Sequence, residues 1–106
     1  MIAVKIFRDQ TGSVTGYSVS GHANTAPHGQ DIVCAGVAAL AQTAVLGIER
    51  HLGRNLKIKV ASGYLKAELT EAPDALTDAV LESMILGLTE IAKLYPQNIR
   101  ISEHRR

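Results

Sequence analysis

A long run without a single charged residue, from Ile32 to Ile48, most constrains what this chain folds into. As a helix, the run is apolar on nearly every side, so more than one of its faces has to be covered. A single small sheet covers one face, which implies a second helix or a second subunit. The helix would extend roughly 25 Å, less than the roughly 30 Å of a bilayer core. We therefore predict a helix buried in the protein or in an interface between copies, and no membrane partner.

Two pairs of short segments alternate apolar with polar residues, which is the pattern of strands with one buried face. The first pair covers residues 2–6 and 15–19, and a polar turn joins them. The second pair covers residues 56–60 and 65–69, and Ser62-Gly63 lies between them. Each pair is predicted to form a β-hairpin.

Helix signals and one more apolar segment complete the predicted order of elements. Gly53 is a suitable C-cap for the first helix, Pro73-Asp74 opens a second helix, and Pro96 ends it. Residues 99–101 suggest a short final strand. The order β-β-α-β-β-α-β predicts an α+β domain in which an antiparallel sheet carries two helices on one face. A length of 106 residues fits one domain, residues 1–106.

The residues able to perform chemistry gather in one segment, a predicted loop from Ser20 to Gln30 and the start of the helix after it. If Asp31 is the N-cap of that helix, Cys34 is its third residue, where free backbone N–H groups and the helix dipole favour a thiolate. His22, at the end of the second strand, is placed to act as the base. The same N–H groups could stabilise an oxyanion when the thiolate attacks a carbonyl.

Other interpretations of these side chains are open on spacing alone. Cys34 has apolar neighbours and would also suit a small buried hydrophobic position. His22 and His28 would also suit an ordinary polar loop, and Asp31 needs no role beyond capping. All four side chains are permissible zinc donors, although their spacing matches no standard finger. With one cysteine, the chain forms no internal disulfide and carries no dithiol redox motif.

Charge and targeting signals narrow the partners. The formal net charge of +1 disfavours a protein that neutralises many phosphates, so direct nucleic-acid binding is not expected. The alternative function is a non-catalytic, ribosome-associated or RNA-binding module that would use a lysine strand face and a basic tail. The N-terminus lacks the features of a signal peptide, and a lone cysteine suits a reducing compartment, so we predict a cytoplasmic location. In the alternative function, the lysine strand face consists of Lys57, Lys59 and Lys66, and the basic tail consists of Arg100, His104, Arg105 and Arg106.

Two motifs, Ser20-Gly21-His22-Ala23 and Gly29-Gln30-Asp31-Ile32-Val33-Cys34-Ala35, resemble the signature of the ribosomal-processing cysteine proteases called Prp. The resemblance covers the whole chain in length and element order. It implies a homodimeric two-layer α/β sandwich that needs no cofactor and no metal. The implied reaction removes the N-terminal extension of the twenty-seventh protein of the large ribosomal subunit.

Carried onto this sequence, the resemblance places the nucleophile at Cys34 and the base at His22. It implies that Asp31 orients His22, caps the helix or contacts substrate. The motif and a loop that orders on substrate binding include Gly21, Ala23, His28 and Gly29. The family often has serine where this chain has Ala38, so a hydroxyl one turn past Cys34 is missing.

Overall fold

A computed structural model describes residues 1–22 and 27–106, and the side chains of residues 1–22 and 32–106. The predicted element order and the α+β fold are confirmed. A π-helical turn, Gly47–His51, continues the first helix. The elements are β1 (Ile2–Arg8), β2 (Val14–Ser20), α1 (Pro27–Leu46), β3 (Leu56–Ala61), β4 (Tyr64–Leu69), α2 (Ala75–Leu94) and β5 (Ile99–Arg105).

The five strands form one sheet in the order β3-β4-β2-β1-β5. The β1–β2 and β3–β4 hairpins are antiparallel, as predicted, and the β2–β4 pair is antiparallel too. The β5 strand runs parallel to β1, which corrects the prediction of an antiparallel sheet. Parallel strands need a crossover connection, and α2 supplies it between β4 and β5. Through their shared neighbour β4, β2 and β3 also point the same way, so α1 is the second crossover. The mixed sheet therefore follows from the two helical connections.

The core lies between the sheet and one face of each helix. Tyr17 is fully buried, and its hydroxyl donates a hydrogen bond of 2.7 Å to the Ala41 carbonyl oxygen of α1. Burial raises the pKa of this hydroxyl well above its ordinary value, so it remains a donor. The buried side chains of α1 and its π-helical turn recur at helical spacing and form one face: Val33, Val37, Ala41, Ala44 and Ile48.

The length of the first helix differs from the prediction. The helical segment that is long and apolar enough to span a membrane runs from Ile32 to His51, and its most apolar 18-residue stretch has a mean hydropathy of 1.8. By length and composition alone, such a helix could cross a membrane, so the argument from a short length is wrong. The face buried against the sheet accounts for part of its apolar character instead.

Glycines let α1 and α2 pack closely. A Cβ at Gly87 would lie 2.9 Å from Leu40 Cδ1, and a Cβ at Gly36 would lie 3.3 Å from Ile91 Cδ1. Both contacts join α1 to α2, so a side chain at either glycine would push the helices apart. Gly36 therefore permits a close helix approach, which offsets its cost of up to about 1 kcal/mol relative to alanine.

The start of α1 corrects one prediction. The helix begins at Pro27 and not after Asp31, because proline at a first helical position has a suitable φ and lacks an N–H that would be unbonded there. Asp31 is therefore inside the helix and is not its N-cap. Gly53 has a φ of +64° just after the capping residue Leu52, in agreement with the predicted C-terminal glycine.

Arg8 joins β1, α2 and β5 near the sheet edge that β5 forms. Its guanidinium donates to both Glu82 carboxylate oxygens on α2, at 2.8 and 3.1 Å, and to Glu103 on β5 at 2.5 Å. The side chain of Arg8 is 14% exposed. Hydrogen bonding to this guanidinium lowers the pKa of the Glu82 carboxyl below 4.5. The network ties α2 and β5 to β1.

Tyr17→Phe should lower the free energy of unfolding by about 1–2 kcal/mol, because the buried hydrogen bond to Ala41 is lost. Urea unfolding followed by circular dichroism measures the change. Tyr95→Phe is the matched control, since within the described chain the Tyr95 hydroxyl makes no hydrogen bond. An equal loss in both variants would contradict the role of the Tyr17 hydroxyl.

Stability should fall as the pH drops through the folded-state pKa of Glu82. The unfolded chain binds this proton at higher pH than the folded chain does, so the contribution is complete above about pH 4.5 and vanishes in acid. Urea titrations between about pH 2 and 7 should show Glu82→Gln losing less stability in acid than the wild type. Glu90→Gln, which removes an exposed ion pair with Lys93, is the control. A wild-type-to-Glu82→Gln difference that stays constant with pH would reject this linkage.

Candidate active site

An apolar groove of about 570 Å³ lies between α1 and the β3-β4-β2 half of the sheet. The α1 side is lined by Cys34, Ala38 and Gln42 among others, and the sheet side includes Ile58 and Val60. Most of the lining is carbon, so water at these walls is poorly hydrogen-bonded and apolar groups are favoured in its place. The groove can therefore receive an extended chain with apolar side chains.

Cys34 lies on the groove wall with its side chain half-buried, so the thiol is accessible from the groove. Because α1 begins at Pro27, Cys34 is two turns inside the helix and not its third residue. Its backbone N–H lies beyond the first turn, where N–H groups lack intrahelical partners and the dipole acts. The prediction that first-turn N–H groups beside Cys34 hold an oxyanion is therefore wrong.

His22 is exposed and lies two residues beyond the end of β2, at the same groove. Its carbonyl oxygen accepts a hydrogen bond of 2.7 Å from the Met1 nitrogen. The preceding Gly21 N–H donates to the Gly63 carbonyl at 2.9 Å. Gly21 has a φ of +90°, and a Cβ there would collide with the Met1 carbonyl oxygen, so this position requires glycine.

His22 and Cys34, 12 residues apart in sequence, both line this groove. Ala23 and the side chains of His28 and Asp31 lie outside the described residues, and the backbone of His28 and Gly29, which were predicted in the loop, belongs to α1. Among residues 1–22 and 32–106, no three His, Cys, Asp or Glu side chains form a metal site. The zinc alternative includes two side chains beyond that part of the chain.

Ala38 and Gly63 both line the groove, but only Ala38 was singled out from the sequence. Ala38 lines the groove one turn after Cys34, so the hydroxyl that this chain lacks is missing from the site and not from the core. Gly63, in the turn between β3 and β4, contacts His22 and was not singled out from the sequence. Only its turn position was readable there, because the contact joins residues far apart in the chain.

Part of the basic surface is paired with acidic side chains. Lys66 and Arg106 both contact the Glu68 carboxylate, each at 3.3 Å, and both lie over the Phe7 ring. Lys66 and Arg106 thus share two partners, the Glu68 carboxylate and the Phe7 ring, which attracts cations to its face. This pairing reduces the positive charge that a phosphate backbone would meet there.

A thiol and an imidazole at one apolar groove have the components for nucleophilic attack on a carbonyl. The imidazole can accept the thiol proton and later return it to a leaving amine. The groove walls can hold the chain on either side of the attacked carbonyl. The arrangement therefore suits cleavage of a peptide bond.

Comparison with known proteins agrees with this chemistry. Residues 1–100 match the family model described as cysteine protease Prp. The chain is 36% identical to the ribosomal processing cysteine protease Prp of Bacillus subtilis over 96% of both sequences. It is also similar to the crystal structure of an essential ribosomal processing protease Prp from S. aureus with a covalently linked product peptide. That likeness has a TM-score of 0.89 and 28% identity, and it covers 98% of this chain and 100% of the other. A second S. aureus structure, in complex with a substrate peptide, matches with a TM-score of 0.89 and 27% identity, over 98% of this chain and 100% of that one.

Proposed function

This chain belongs to the cysteine protease Prp family and is a cysteine protease, and we propose that it removes the N-terminal extension of the twenty-seventh large-subunit ribosomal protein. The observation that carries the proposal is the presence of His22 and Cys34 on one apolar groove. The names of its relatives, which are ribosomal processing proteases, support a ribosomal protein as the substrate.

In the proposed reaction, His22 takes the proton from the Cys34 thiol, and the thiolate attacks the scissile carbonyl. The carbon–nitrogen bond breaks, the imidazolium returns its proton to the leaving amine, and a thioester to Cys34 remains. Water then attacks the thioester, with His22 accepting a water proton and returning it to the sulfur, which releases the carboxylate product. Asp31 keeps its proposed supporting role toward His22 or the substrate.

The groove supports an apolar sequence on the substrate. Ile58 and Val60 alternate with Lys57 and Lys59 along β3, so the apolar side chains face the groove and the lysines point away from it. A substrate with apolar residues beside the scissile bond would cover Val60, which is 73% exposed. Burying such side chains contributes about 25 cal/mol for each Å² removed from water.

We also propose a homodimer, in which a second copy covers the outer face of α1. This face lies opposite the core face and includes exposed residues without a charge, so it leaves apolar surface in water. Within the most apolar part of the helix, 28% of the residues are buried in the single chain. The outer face consists of Ile32, Ala35, Ala39 and Thr43, and it borders the groove at Gln42 and Leu46.

The cytoplasm is the proposed location of the reaction. A catalytic Cys34 has to remain a free thiol, which the reducing cytoplasm maintains. Ribosome assembly takes place in the same compartment as this proposed processing step. Detection of the protein in the soluble fraction of lysed cells, with a cytoplasmic marker enzyme, tests the assignment.

Cys34→Ser should abolish cleavage of the extended ribosomal protein, and His22→Ala should lower the rate by about 10²–10⁴-fold, because the nucleophile or its base is lost. Gel electrophoresis and mass spectrometry of the products measure cleavage and identify the bond. His51→Ala is the matched histidine control, since His51 is exposed and lies away from the groove. Cleavage by Cys34→Ser at the wild-type rate would rule out the proposed nucleophile.

Sedimentation equilibrium should give twice the chain mass of 11.3 kDa for the wild type. Ala39→Glu should shift the protein toward monomer, because it places a charge on the outer face of α1. Ala79→Glu makes the same change at an exposed position of α2 and should leave the dimer intact. A monomeric wild type at tens of micromolar would refute the dimer, and equal effects of both variants would refute the assigned interface.

A further inference from the structure

We propose that Gly63 is a positioning residue for catalysis, because the space left by its missing side chain is where the His22 imidazole sits. Gly63 lies in the two-residue turn between β3 and β4. A Cβ there would lie 2.9 Å from His22 Cε1 and 3.2 Å from Cδ2, and closer still to Nε2. Such distances are shorter than carbon–carbon contact, so the imidazole cannot keep its place beside a side chain at this position.

Backbone contacts fix the two partners relative to each other. The Gly21 N–H donates to the Gly63 carbonyl at 2.9 Å, and β2 pairs with β4 up to Ser20 and Tyr64. The β3–β4 turn is therefore held beside the segment that carries His22. With the backbone fixed on both sides, the imidazole position depends on what stands at residue 63.

The turn conformation alone would also favour glycine here, since Gly63 has a φ of +68°. Gly53 separates the two explanations. Its φ of +64° is nearly the same, but a Cβ there would have no atom within 4 Å. A substitution at Gly53 thus introduces the backbone strain without a contact to the site.

A side chain at residue 63 should harm catalysis more than folding. The atoms that it would meet are the end of an exposed side chain, which can rotate away without disturbing the core. The imidazole would leave its place beside the Cys34 groove, whereas the fold would bear the same strain as a Gly53 variant. Displacing a reacting group by about 1 Å can cost about 10²-fold in rate.

This inference rests on the proposed function, in which His22 is the base. The test compares Gly63→Asn with Gly53→Asn, because asparagine tolerates the left-handed backbone better than other residues that carry a Cβ. The activity probe is an internally quenched peptide spanning the extension junction of the ribosomal protein. Two-bond proton–nitrogen NMR spectra observe the imidazole, with the His22 signals assigned by their absence in His22→Ala.

Both asparagine variants should melt at similar temperatures. Gly63→Asn should lower kcat by about 10- to 100-fold with a smaller change in KM, and it should move the His22 imidazole signals. Gly53→Asn should keep the wild-type kcat and the wild-type His22 signals. The rate of Cys34 alkylation by iodoacetamide across pH should change in Gly63→Asn and not in Gly53→Asn.

The inference fails alone if His22→Ala shows its expected loss of rate while Gly63→Asn matches Gly53→Asn in kcat and in the His22 signals. If His22→Ala cleaves the peptide at the wild-type rate, the proposed base is wrong and the positioning inference is overturned with it. The two failures are therefore distinguished by the His22→Ala variant.

Discussion

The packing of α1 against the sheet determines where every part of the site lies. The Tyr17 side chain extends from β2 through the core to α1. The hydrogen bond from its buried hydroxyl to the Ala41 carbonyl fixes the position of α1 relative to the sheet. The close contact at Gly36 and Gly87 brings α1 against α2 on its other side. Because α1 lies toward α2, the β3–β4 part of the sheet is left uncovered, and the groove is the resulting space. The thiol of Cys34 opens onto that space.

The alternating and helical patterns were sufficient for the element order because each element buries one face. The start of α1 was misplaced because Asp31 is a good capping residue, yet Pro27 also suits the first turn of a helix and lies earlier. Because the helix begins earlier than predicted, Cys34 lies beyond the N–H groups that lack intrahelical partners, and these groups do not favour a thiolate there. The position of Cys34 on the groove is unaffected. Pro27 was assigned to the loop from Ser20 to Gln30, so the predicted helix began at Ile32, five residues after the observed start.

Contacts between distant parts of the chain were beyond the sequence patterns. The motif brought attention to His22 and Cys34 through residue type and spacing, whereas Gly63 carries no chemical group and lies in an ordinary turn. Its relation to His22 depends on the pairing of β2 with β4. The parallel direction of β5 beside β1 was likewise not predictable from a local pattern, because it results from two crossovers and not from residues 99–105.

The β1–β5 pair links the site to a part of the chain that contains none of its residues. Ile2 pairs with Ile99, so the beginning of β1 is held in the sheet by a strand reached at the opposite end of the described chain. The same beginning supplies the Met1 contacts to Gly21 and to the His22 carbonyl. Pairing at such large sequence separation has an entropic cost, because the connecting chain must lose its freedom. The position of the histidine segment therefore depends on β5, so a change that detaches β5 would withdraw support from the His22 backbone without touching the groove.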